Sequence, residues 1–116
     1  MTEASVFSKI LAGEIPGEIL HQTERVFVIR PLETHAPVHL LVIPKAEKYR
    51  NVVELAADAP DLLAEIVAVA NELAARESDG DFRLIFNNGE GAGQTVFHVH
   101  AHVLAGGLTE GSLGHG

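Results

Sequence analysis

The chain has 116 residues, a formal net charge of −8 and no cysteine. That length suits a single domain, and the lack of thiols excludes a disulfide scaffold, a thiol nucleophile, a cysteine-ligated zinc and an iron–sulfur cluster. Eight Lys plus Arg against sixteen Asp plus Glu argue against a broad surface for polymeric nucleic acid, which needs cations facing the phosphates, but leave room for one small anion in a pocket. Met1-Thr2-Glu3-Ala4-Ser5 has no basic segment leading into an apolar core, unlike a secretory signal. No apolar run approaches the roughly 20 residues that a bilayer span requires, so a cytoplasmic location without membrane contact is expected.

Ser5 is placed to cap a helix over Val6 to Ala12, with Val6, Phe7, Ile10 and Leu11 as its apolar side and Gly13 as its stop. Ile15-Pro16-Gly17 reads as a turn, and Glu18 to Gln22 and Arg25 to Ile29 as the two strands of a hairpin. Pro31 to Pro37 is irregular; His39 to Ile43 is a β-rich run stopped by Pro44. Asp58-Ala-Pro-Asp61 reads as a helix start, with a capping acid, a proline in the first turn and negative charge at the positive end of the dipole. Leu62, Ile66, Val69 and Leu73 then recur at helical spacing, widened by Leu63, Val67 and Ala70, to about Glu77. Phe82 to Phe86 and Val96 to Leu104 read as strands on either side of a glycine-rich loop, Asn87 to Gly93. This order predicts one α+β domain over 1–116: a single antiparallel sheet of about five strands, with one long and one short helix on one face. The ends, 1–5 and 108–116, are expected to be flexible.

His98-Val99-His100-Ala101-His102-Val103-Leu104 is the sharpest signal in the chain. Strand alternation puts the three imidazoles on one side, about 6.6 Å apart, and turns Val99, Ala101 and Val103 toward the long helix. A lone strand histidine is ordinarily solvated or hydrogen-bonded, but core packing does not select three in register. One reading is a metal shared by two of them and His39. Against it, the outer two are poorly placed to converge on one ion, and no carboxylate stands beside the triad to support it. The other reading is acid/base or nucleophilic chemistry. The preceding loop, Asn87-Asn-Gly-Glu-Gly-Ala-Gly-Gln-Thr95, favours it. Glycines let backbone N–H groups turn toward an anion, while the Thr95 hydroxyl and the Asn87 amide add donors. No Gly-Lys-Ser/Thr follows, so it is not a Walker-type loop.

His98 to Leu104 fits the histidine-triad pattern, His-φ-His-φ-His-φ-φ with φ apolar. Phe7-Ser-Lys-Ile10, Glu14-Ile-Pro16, Ala36 to Lys45, Gly93-Gln-Thr-Val-Phe-His98 and His102-Val-Leu-Ala-Gly106 resemble the nucleotide-binding phosphoramidase branch of that superfamily, over about Val6 to Gly107. The resemblance implies a sheet that continues into a second copy across a two-fold axis. It also implies hydrolysis of the P–N bond of nucleoside 5′-monophosphoramidates, typically adenosine ones, with no cofactor and no metal. Carried over by position, His100 is the nucleophile, His98 and His102 flank it, and His39 completes the cluster. Asn87, Gly93, Gln94, Thr95 and Val96 match the phosphate-binding segment. Val6, Phe7, Ile10, Ile15, Ile29 and Leu32 match the apolar base pocket. One departure stands out: relatives carry an acid for the ribose hydroxyls eight positions before the strand histidine, where this chain has Pro31, with Glu33 nearby. The tail after Gly107 also lacks the aromatic residue of relatives.

The implied mechanism needs a neutral imidazole, whose ordinary pKa of about 6.5 suits neutral pH. The second ring N–H of His100 must be tied to a carbonyl so that the lone pair faces phosphorus. A nucleotidyl-histidine intermediate divides the displacement into two steps. His102, Thr95 and the N–H groups of Gly93 to Val96 are expected to meet the phosphoryl charge. His98, in a relay with His39, is expected to protonate the leaving amine. Three other functions compete: a dinucleoside polyphosphate hydrolase of the same superfamily, a nucleotide-binding regulatory module with little turnover, and a metal-dependent enzyme.

Overall fold

The computed structural model describes residues 4–31 and 36–112; Leu32, Glu33 and the last four residues lie outside the described residues. Helix α1 (Val6–Leu11) is followed by strands β1 (Glu18–Gln22), β2 (Val26–Arg30) and β3 (Val38–Pro44), helices α2 (Val52–Asp58) and α3 (Pro60–Glu77), and strands β4 (Arg83–Ile85) and β5 (Ala101–Ala105). The five strands form one sheet in the order β1-β2-β3-β5-β4, and every neighbouring pair is antiparallel.

Period-2 alternation divides the sheet into two apolar faces. Val26, Val28, Leu40, Val42, Ala101 and Val103 join Leu62, Ile66, Val69 and Leu73 of α3 and Leu55 of α2 in the larger core. Phe27, Ile29, Leu41 and Ile43 point the other way and pack with Phe7 of α1. The helices therefore cover both faces, not one as expected. α1 is short, but its Phe7 supplies enough apolar area to seat it on the far side.

α3 runs where the apolar periodicity predicts. Pro60 occupies its first turn, and its cap residue is Ala59, without a side-chain cap. Asp58, the expected cap, instead ends α2 and accepts a hydrogen bond from the Tyr49 hydroxyl at 2.7 Å. Val67, expected on the buried stripe, is 42% exposed. Helix α2 was not expected. Asn51 caps it by accepting from the Glu54 N–H at 2.9 Å, and Glu54 reaches back to the Arg50 N–H at 2.9 Å, a reciprocal cap of the capping-box kind.

The hairpin is fixed to α3 by Arg25, which pairs with Glu65 at 2.7 Å and Asp61 at 3.0 Å; Arg25 itself precedes β2. The last strand begins at Ala101, not Val96. The Val99 N–H donates to the Tyr49 carbonyl at 3.0 Å, outside the β3 register that starts with Val42↔Ala101. At the margins of the two ends, Ser5 is the α1 cap and the Thr109 carbonyl accepts from Arg83 Nη2 at 2.7 Å. Among the described residues no helix is long and apolar enough to cross a membrane.

Candidate active site

The antiparallel register brings the histidines together. β3 pairs with β5 so that His39 opposes Leu104 and Leu41 opposes His102, which puts His39 and His102 diagonally on the face that carries α1. Their rings stack with centroids 5.3 Å apart, and His39 Nε2 lies 3.1 Å from His102 Nδ1. His100 follows, its ring centroid 5.1 Å from that of His102 and 4.8 Å from that of Phe7; Phe7 in turn meets His98 edge-on at 5.8 Å. All three triad rings thus lie along one side as the alternation predicts, although only His102 is within the strand.

His98 is deeply buried, 1% exposed. Its Nε2 lies 2.6 Å from the Pro44 carbonyl and its Nδ1 2.6 Å from Ser5 Oγ. A carbonyl only accepts, so Nε2 carries the proton. The neutral ring then presents a lone pair at Nδ1, to which the Ser5 hydroxyl donates. Burial pulls the His98 pKa below its ordinary value, opposed by the Pro44 hydrogen bond and by the charge of Glu47. The expected relay between His98 and His39 is not formed. His98 is occupied at both nitrogens by Pro44 and Ser5, and His39 meets His102 instead.

His100 Nδ1 lies 2.9 Å from the His98 carbonyl oxygen. The carbonyl fixes the proton on Nδ1 and leaves the lone pair on Nε2. Burial also lowers the His100 pKa; the His98 carbonyl raises it and the neighbouring His98 ring lowers it further. The result is an imidazole held neutral and in one tautomer, the form that attacks an electrophile.

The loop before the triad is closed on itself by backbone hydrogen bonds. Glu90–Ala92 forms a single 3-10 turn between Gly89 and Gly93, whose φ angles of 99° and 95° suit glycine. The Ala92 and Gln94 N–H groups donate to the Gly89 carbonyl, and the Gly93 N–H donates to the Glu90 carbonyl. The N–H groups of Gly93 and Gln94, expected to face phosphate, are therefore engaged inside the loop. Gln94 is 2% exposed. Its Oε1 accepts from the Gly89 N–H at 2.8 Å, and its Nε2 donates to the Arg50 and Val96 carbonyls at 2.6 and 3.0 Å. Its side chain braces the loop from within, so its placement near the site is architectural.

Thr95 is exposed, Asn87 half-buried, and Val96 packs against the smaller core. Of the expected base pocket, Phe7 and Ile29 are buried in that core and Ile10 packs on it. Ile15 is half-buried and Val6 39% exposed; Leu32 lies outside the described residues. Pro31 is half-buried, and the adjacent Arg30 pairs with Glu18 and Glu77, each at 3.2 Å. Ser5 was not expected to touch the triad; its capping pattern was legible, but its reach to His98 was not. Among the described residues no group of three or more His, Asp or Glu side chains is arranged to hold a metal ion.

A sheet whose α1-bearing face carries a contiguous row of imidazoles defines a class of protein recognisable by comparison. Residues 12–107 match the model of the HIT domain. The sequence is 41% identical over 110 residues to an uncharacterized HIT-like protein of Synechocystis, spanning 91% of this chain and 93% of that one. It is 35% identical over 108 residues to the purine nucleoside phosphoramidase of Escherichia coli K12, spanning 91% and 90%. The structure matches a HIT family hydrolase from Clostridium thermocellum with a TM-score of 0.83 at 41% identity, covering 91% and 93% of the two chains. The chain belongs to the HIT domain family.

Proposed function

We propose that this protein hydrolyses the P–N bond of nucleoside 5′-monophosphoramidates, with purine and in particular adenosine substrates favoured, through a nucleotide carried on His100. The observation that carries the proposal is the 2.9 Å contact between His100 Nδ1 and the His98 carbonyl, which leaves Nε2 as a nucleophilic lone pair. The 35% identity to the Escherichia coli purine nucleoside phosphoramidase supports the substrate class.

In the first step Nε2 bonds to phosphorus as the P–N bond breaks, and the leaving nitrogen takes a proton from the paired His102 and His39. In the second step water bonds to phosphorus and gives its proton back to the His102 and His39 pair, the P–Nε2 bond breaks, and the nucleoside monophosphate leaves with all three imidazoles restored. Dividing the displacement in this way lowers each barrier. The Thr95 hydroxyl, the Thr95 and Val96 N–H groups and the Asn87 amide are the donors that would meet the phosphoryl oxygens. Phe7, Ile10, Ile15, Ile29 and Leu32, with Val6, would hold the base. The proposal requires no cofactor. It includes a homodimer built on a sheet edge, which offers unpaired backbone groups to a second copy, and a cytoplasmic location.

The test is His100→Ala assayed on adenosine phosphoramidate and, in parallel, on a diadenosine polyphosphate. The expected result is turnover of the phosphoramidate by the unaltered protein, loss of nearly all of it in the variant, and retained binding of adenosine monophosphate. Wild-type turnover in the variant would contradict the assignment, and preference for the dinucleotide would move the substrate class.

A further inference from the structure

Helix α1 has six residues, too few to hold its shape without help from its surroundings. Its first help is Phe7, buried in the smaller core. Its second is Ser5, whose Oγ accepts from the Ser8 N–H at 3.1 Å as the cap. The same oxygen lies 2.6 Å from His98 Nδ1, and the Ser5 N–H donates to Glu47 Oε1 at 2.6 Å. That N–H holds the Glu47 carboxyl below its ordinary pKa.

One hydroxyl therefore meets two demands. It accepts from the helix and donates to the triad. The donation is compulsory, because the Pro44 carbonyl fixes the His98 proton on Nε2 and leaves Nδ1 only as an acceptor. His98 is thereby tied at one nitrogen to the end of β3 and at the other to the start of α1. Its own carbonyl orients His100.

We propose that Ser5 is a positioning residue for the reaction. It locks the His98 ring, and through it the His98 carbonyl, so that His100 is presented in one tautomer and at one angle. His98 then serves as the strut between α1 and the nucleophile and not as a proton donor to substrate. This inference rests on the proposed role of His100, but it has a readout of its own.

The decisive variant is Ser5→Gly, because glycine is well tolerated in place of serine at a helix cap while the hydroxyl is removed. Ser5→Thr restores both cap and donor. Phosphoramidate kinetics and the ring ¹⁵N spectra of His98 and His100 are recorded for all three proteins. In Ser5→Gly the His98 Nδ1 signal is expected to move toward that of an unbonded imine nitrogen. kcat should fall on the order of tenfold or more with KM within about twofold, as expected when a reacting group is misaligned and binding is not. Ser5→Thr should return both toward the original values. An unmoved Nδ1 signal together with an unchanged kcat in Ser5→Gly would overturn the proposal. If the unaltered protein turns over no phosphoramidate, the proposed function fails, and the ¹⁵N signals alone decide whether Ser5 holds the triad.

Discussion

One carbonyl holds His100 in a single tautomer, and burial disfavours its charged form. Both His98 and His100 lie below the ordinary histidine pKa because desolvation disfavours their charged forms. The consequence for stability has a definite sign. As pH falls through 6.5, these two side chains take up protons in the unfolded chain before the folded one does. Stability therefore declines as pH falls from about 6.5 toward the lowered folded values, and these groups contribute no slope well above that window. Ring-proton titration by NMR should place both midpoints below 6.5, and the acid limb of turnover should follow His100 downward; a midpoint at or above 6.5 would remove the burial argument. Gln94 allows a second prediction at this scale. Gln94→Ala removes the acceptor of the Gly89 N–H and the donor to two carbonyls. Leaving buried polar groups unmet costs about 1–3 kcal/mol, measurable as a lower urea midpoint.

The elements differ in how far they can be read from the chain. α3 announces itself because Leu62, Ile66, Val69 and Leu73 repeat at 3.6-residue spacing, and all four are buried against the sheet. Ile66→Ala should accordingly cost about 2–5 kcal/mol by urea unfolding, whereas Val67→Lys, on the exposed side, should stay within about 0.5 kcal/mol. A large loss in Val67→Lys would mean that the helix faces the sheet differently. α2 escaped notice because one buried leucine, Leu55, makes no periodic stripe; the cap pair Asn51 and Glu54 was its legible sign. The segment 96–100 looked like strand because Val96, Phe97 and Val99 favour extended backbone. It is held off the sheet by long-range bonds, Gln94 to Arg50 and Val99 to Tyr49, which no local pattern reveals. The four histidines were legible by type and spacing. Their division of labour was not, since the partners of His98 are Ser5 and Pro44, 93 and 54 residues away.

At the scale of the whole molecule, the two faces of the sheet divide the work. One carries the larger core under α2 and α3; the other carries a smaller core, a single short helix and the imidazole row. Concentrating the apolar burial under α2 and α3 leaves room on the other side for a row of polar rings, of which His39 and His98 are buried and His100 and His102 half-buried. The net charge of −8 is compatible with a phosphate ligand on that side, because imidazoles, hydroxyls and backbone N–H groups recognise phosphate without adding to the Lys and Arg count. The proposed reaction passes the nucleotide through a covalent bond to His100. Rapid-quench intact mass spectrometry during phosphoramidate turnover, followed by peptide mapping, tests it most directly. A transient adduct of one nucleotidyl group is expected on His100, absent from His100→Ala. Steady turnover with no adduct, or an adduct on another residue, would contradict it.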